Sequence, residues 1–152
     1  MYLREATPDE LEVIYPMGFD VWGDGLSFED YLSGCRNSEK YQVGTWFVLI
    51  ENDQILSSLV VYSDMFGLRD NCFGLGSIAT SPSLRGKGYA SHLIGLVKAE
   101  LFSNYNCKAV YLHSDIGHEF YSKLGFVCIE NSDCMFSSIA PSELDGSIPA
   151  YF

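Results

Sequence analysis

The chain has 152 residues, 47% hydrophobic and 19% charged, which is the balance of one folded domain and not of a disordered tract. A net charge of −11 excludes a broad basic face for nucleic acid, and no apolar run approaches the roughly 20 residues that cross a bilayer. "MYLREATPDE" holds no apolar signal core, and the five cysteines form no C-x-x-C pair, so the expected setting is a reducing cytoplasm.

In chain order, "MYLREA" alternates and starts a strand. Thr7, Pro8 and Glu10 then have the spacing of a capping box with Pro at the first helical position. Glycines 18, 23, 25 and 34 punctuate the next stretch into a loop and a short helix beginning near Ser27. "TWFVLI" and "QILSSLVVYS" flank "ENDQ" and predict a hairpin. "NCFGLGSIATS" is a further strand, and Gly74 and Gly76 within it predict a bulge or a close backbone approach. Ala90, Leu93, Ile94, Val97 and Leu101 share one helix face. "KAVYLHSD" is a strand. "IGHEFYSKLGF" is a short helix with Ile116, Phe120 and Leu124 on one stripe and Gly125 as C-cap. "FVCIENSDCMFSSI" closes as a hairpin around Asn131 and Ser132, and Pro141 and Pro149 bracket an irregular tail. The order predicts a single α/β domain over 1–152, with a mostly antiparallel sheet and one right-handed strand–helix–strand crossover.

Acids outnumber bases nine to three in residues 1–40, while Arg85, Lys87 and Lys123 gather near the motifs that follow. "LRGKGYA" places two glycines and two cations at the mouth of a helix. It fails as a Walker loop, with Ser81 in place of the first Gly and Gly88 in place of Ser/Thr. It fails as a dinucleotide fingerprint because Ser91 takes the third small position; Gly74-x-Gly76-x-x-Ala79 has the letters but opens no helix. What remains is R-x-x-G-x-A, Arg85, Gly88 and Ala90. Backbone N–H groups at a helix N-terminus suit an anion, yet a plain glycine-rich turn has the same letters.

"SIATSPSLRGKGYASHLI", followed by "AVYLHSDIGHEFYSKLGF" with Tyr121, Gly125 and Phe126, resembles the GNAT superfamily of acyl-CoA-dependent N-acetyltransferases. The likeness is firm over residues 73–130. It implies the GNAT fold, a mixed and mostly antiparallel sheet of six to seven strands flanked by about four helices. It implies acetyl transfer from acetyl-CoA to a primary amine, a small molecule or a peptide, by direct attack in a ternary complex, by a monomer or homodimer without nucleic-acid or membrane partners. The pyrophosphate is expected on Arg85, Gly86, Lys87, Gly88, Tyr89 and Ala90, with Ser91 adding its hydroxyl. The pantetheine arm is expected along Ile78, Ala79 and Thr80, the Ile78 amide also facing the thioester oxygen. Tyr121 is the implied general acid, with Phe120 and Lys123 beside the cofactor. Ser114 stands where many relatives carry an Asn that touches the cofactor arm, and the acid that some relatives carry before the phosphate turn is absent from "FGLGS". The same resemblance also fits a non-catalytic acyl-CoA-binding or sensing module.

Asp20, Asp24, Glu29 and Asp30 lie among Phe19, Trp22 and Phe28. They read as a solvated face over core aromatics or as an acceptor pocket, with Asp20, Trp22, Asp24, Phe28 and Glu29 suited to a cationic amine. Cys72, Cys107 and Cys128 lie in or beside apolar segments and read as small hydrophobes. His92 and His113 read as packing or surface residues. His118-Glu119 begins an H-E-x-x-H pattern that Ser122 breaks, so no metal is expected.

Overall fold

In a computed structural model of the chain, the structure describes residues 1–130, 132–139, 148–149 and 152. The seven strands, β1 (Tyr2–Glu5), β2 (Thr45–Glu51), β3 (Gln54–Ser63), β4 (Cys72–Thr80), β5 (Ala109–His113), β6 (Val127–Cys128) and β7 (Cys134–Ser138), are hydrogen-bonded in the order β1-β2-β3-β4-β5-β7-β6. The chain divides into two compact units, Met1–Val60 with Ser77–Leu93, and Val61–Gly76 with Ile94–Phe152.

In the first unit, β1 (Tyr2–Glu5) runs antiparallel to β2 (Thr45–Glu51), from Tyr2↔Ile50 to Glu5↔Phe47. The capping box forms: the Thr7 amide donates to Glu10 Oε1 at 2.8 Å, and Arg4 grips the same carboxylate through two bonds of 2.7 and 2.8 Å. The helical stretch that follows is broken into short turns, including α1 (Leu11–Ile14) and α2 (Phe19–Trp22). Pro16 lacks the N–H a continuous helix needs, and Gly18 and Gly23 weaken its continuation. Ser27 caps α3 (Phe28–Arg36) by accepting from the Asp30 amide at 3.1 Å, where the sequence predicts the helix start. A further helix, α4 (Glu39–Val43), is capped by Ser38 and was not anticipated. β2 and β3 (Gln54–Ser63) form the predicted hairpin, with Asn52 and Asp53 both left-handed (φ 52° and 61°), as a two-residue turn requires.

In the second unit, the first half of β4 (Cys72–Thr80) pairs in parallel with β5 (Ala109–His113), from Cys72↔Ala109 to Leu75↔Leu112. The crossover between them is α5 (Tyr89–Asn104), whose Leu93, Ile94, Val97 and Leu101 are fully buried, as the periodicity predicts. β7 (Cys134–Ser138) lies antiparallel to β5, and β6 (Val127–Cys128) to β7. The predicted closing hairpin therefore forms; Asn131 and Pro141 lie outside the described residues. Gly74 is a close approach, as expected: the Phe152 ring fills the space a Cβ would need.

One prediction is corrected. The helix α6 (Glu119–Ser122) is a single turn, and the stripe Ile116–Phe120–Leu124 is not its buried face. Ile116 is 65% exposed and precedes the turn, whereas Tyr121 is only 6% exposed. Gly117, left-handed at φ 85°, delays the helix start, so the helical period cannot be counted from residue 116.

Candidate active site

The turn from β4 into α5 has the geometry of an anion cradle. Gly86 and Gly88 are left-handed (φ 79° and 81°), and nothing lies within 4 Å of where their Cβ atoms would be. Only glycine occupies that backbone region without strain, and the open space leaves room for a ligand against the main chain. The residues from Arg85 to Gly88 are exposed, and Tyr89, Ala90 and Ser91 are half-buried at the first turn of the 16-residue α5. The first amides of such a helix have no intrahelical acceptor and carry the positive end of its dipole.

Arg85 does more than add charge. Its guanidinium grips Asp20 through two bonds of 2.6 and 2.9 Å and also donates to the Met17 and Thr80 carbonyls at 3.0 and 3.1 Å. The pair lowers the Asp20 carboxyl below its ordinary range and raises the Arg85 guanidinium. Asp20, considered for the acceptor pocket, is thus tied to the β4–α5 turn, and Arg85 braces that turn. Lys87 keeps an exposed side chain on the same turn.

Upstream, Ser77 is left-handed (φ 46°) inside β4, a conformation that strains a residue with a Cβ. The predicted irregularity of this strand thus falls one residue past Gly76. Residues 77–80 are all half-buried, and the Ala79 carbonyl accepts from Ser57 Oγ at 2.7 Å. Ser77 Oγ bonds Tyr41 Oη at 2.9 Å. Tyr41 stacks on Tyr15 (centroids 5.8 Å) and meets Trp46 edge-on (5.1 Å). These rings, with Trp22, Tyr31, Ser77 and Ala79, line a narrow cavity of about 10 Å³, room for a single water. Trp22 is therefore brought to β4. Asp24, Phe28 and Glu29 are exposed and do not line this cavity; Phe28 packs instead edge-on against Phe19 at 5.2 Å. Sequence reasoning does not single out Tyr15, Tyr41 or Trp46, because they come from a 3₁₀ turn, a short helix and a strand that no local spacing groups together.

In the second unit, the turn after β5 is held by Ser114. Its amide donates to the Asp133 carbonyl at 2.8 Å, and its buried hydroxyl donates to the Gly117 carbonyl. The hydroxyl that the family pattern offers to the cofactor arm is committed here to shaping the turn. Tyr121 follows, edge-on to Phe120 (5.0 Å) and Phe126 (6.1 Å). Burial, and to a lesser extent the Asp115 charge, push its phenol up to about 12, so it stays protonated at physiological pH. Lys123 is exposed and reaches Glu119 at 3.5 Å. Lys98 of α5 donates to the Leu124 carbonyl at 2.6 Å, fixing the exit of the Tyr121 turn. Among the described residues no cluster suits a metal ion.

A strand, a left-handed glycine turn and a long helix, followed by a second strand and a one-turn helix carrying a buried tyrosine, define a class of acyltransferase fold. Residues 8–126 match the family model of the acetyltransferase (GNAT) family, and the chain belongs to that family. No curated protein matches the sequence. The fold is similar to that of a GNAT family N-acetyltransferase (YhbS) from Escherichia coli solved with CoA, at TM-score 0.70 and 17% identity over 95% of this chain and 84% of that one. It is also similar to a GNAT family acetyltransferase from Brucella melitensis solved with acetyl-CoA (0.68, 18%, 92% and 88%). A spermidine N-acetyltransferase (SpeG) chimera from Vibrio cholerae and hSSAT is similar to the same degree (0.66, 17%, 91% and 96%). No helix among the described residues is long and apolar enough to cross a membrane.

Proposed function

We propose that this chain transfers an acetyl group from acetyl-CoA to a primary amine by direct attack in a ternary complex. The observation that carries the reading is the left-handed Gly86-x-Gly88 turn, open on its outer side, at the mouth of the 16-residue α5. It fits a pyrophosphate: the main chain from Arg85 to Ala90 would receive it, with the Ser91 hydroxyl added, Lys87 supplies mobile charge, and Arg85 holds the turn in place. The backbone of Ile78, Ala79 and Thr80 would hold the pantetheine arm.

When bound, acetyl-CoA supplies an acyl group activated as a thioester. The chain's own groups do the rest. The left-handed Ser77 re-aims the following amide, so the Ile78 N–H serves as the donor for charge developing on the carbonyl oxygen. Tyr121 Oη holds a proton at neutral pH and gives it to the departing thiolate, and the proton shed by the attacking amine returns through water to restore the phenol. Phe120 flanks it, and Ser114 fixes the turn that presents it. The acceptor amine enters beside half-buried Trp22, which is brought next to Ser77 and Ala79 of β4. No cysteine is needed as a nucleophile.

The test is a panel of primary amines with acetyl-CoA, following released thiol, beside thermal protection by CoA and by ATP. Turnover with at least one amine and protection by CoA alone are expected. Protection by CoA with no turnover across the panel sinks the transfer reading and leaves a binding module; protection by ATP alone removes CoA as well.

A further inference from the structure

Cys128, His118 and Asp133 stand in the order of a nucleophile, an imidazole and a carboxylate. Cys128 Sγ lies 2.8 Å from His118 Nδ1, and His118 Nε2 lies 3.3 Å from Asp133 Oδ1. A carboxylate only accepts, so Nε2 carries a hydrogen and Nδ1 is left to take the thiol proton. We infer that Cys128 is a built nucleophilic thiol, a modification site for small peroxides that is separate from acyl transfer.

Three backbone features hold the group together. The β6–β7 ladder pairs Cys128 with Met135, and the Ile129 amide donates to the Cys134 carbonyl at 3.0 Å. The Ser114 amide ties the Asp133 carbonyl at 2.8 Å, which sets the carboxylate beside the turn after β5. Left-handed Gly117 then delivers His118 to the mouth of α6, where its carbonyl accepts from the Ser122 amide at 2.9 Å. The expectation that Cys128 is an apolar filler is thus corrected: it lies on the two-residue edge strand, half-buried, against an imidazole.

The contrast with the other thiols is the second support. Cys35, Cys72, Cys107 and Cys134 are buried, and burial pushes each of them up, away from the reactive thiolate. Cys128 alone among the five is partly open to solvent.

The chemistry favours a peroxide. His118 takes the Cys128 proton, and the thiolate attacks one peroxide oxygen. The S–O bond forms as the O–O bond breaks. Sulfur gives up an electron pair and is oxidised to a sulfenic acid; the peroxide is reduced. The hydroxide that leaves takes the proton from His118 and departs as water. An imidazolium beside the sulfur is the acid this cleavage needs, and the half-buried site admits a small reagent.

The test exposes the intact protein to limiting hydrogen peroxide, traps sulfenic acid with dimedone and maps the label by peptide mass spectrometry. Label on Cys128 ahead of the other four cysteines is expected. His118→Gln, checked for folding by circular dichroism, slows labelling about 100-fold, within the range of general acid–base assistance. Asp133, which acts through His118, is a positioning residue: Asp133→Asn slows the reaction and Asp133→Glu restores part of it. Label spread evenly over the cysteines, none on Cys128, or an unchanged rate in folded His118→Gln overturns the inference. If His118→Gln does not fold, the ranking of the five cysteines in the unaltered protein decides.

Discussion

The turn from β4 to α5 and the turn from β5 to α6 commit their polar groups differently. In the first, side chains point away and the main chain is open: Gly86 and Gly88 are exposed, and Arg85 spends its donors on Asp20, Met17 and Thr80. In the second, side chains are buried and engaged: Ser114 closes on Gly117, and Tyr121 is packed between Phe120 and Phe126. On the proposed reading, a turn of the first kind binds through backbone shape and tolerates changes of side-chain chemistry. One of the second kind acts through a particular atom and tolerates few.

Three substitutions, one of them read in two ways, test that difference. Tyr121→Phe removes only the phenolic oxygen, and a loss of about 100- to 10,000-fold in kcat is expected with CoA affinity retained. Equal losses in both, read by kinetics and calorimetry, erase the distinction between the turns. Gly88→Val forces a branched residue into the left-handed region at roughly 1–2 kcal/mol or more, so CoA binding weakens about tenfold while the fold persists. Lys87→Ala is smaller: a few-fold loss of CoA affinity that fades as salt rises, because the charge is exposed. The smallest effect is on alkaline stability. The Tyr121 phenol ionises near 10 when unfolded and about 12 when folded, so the unfolded chain loses its proton first and stability falls as pH rises through that window. Tyr121→Phe flattens that fall in Tm only in part, since burial raises Tyr15, Tyr31 and Tyr111 too.

Much of this fold was legible in the sequence because local and tertiary preferences agree. The α5 stripe, the Asn52-Asp53 hairpin and the Thr7–Glu10 cap each follow from a few neighbouring residues. The β4–α5 turn was legible because glycines at fixed offsets have a backbone reason to be there. What was hidden depends on distant pairing. Nothing near Arg85 announces Asp20, and nothing near Cys128 announces His118 and Asp133. The α6 stripe misled because one left-handed glycine resets the helical count. The aromatic cavity escaped because its rings come from separate short elements.

The seat of Phe152 carries a consequence for how this sequence can drift. The ring rests where residue 74 has no side chain, so the two positions share one volume. Any larger residue at 74 evicts the ring, which also neighbours Tyr62 at 6.4 Å between centroids. In relatives of this chain, a side chain at the first position should accompany a smaller residue at the second. The two sites, 78 residues apart in the chain, are expected to change together.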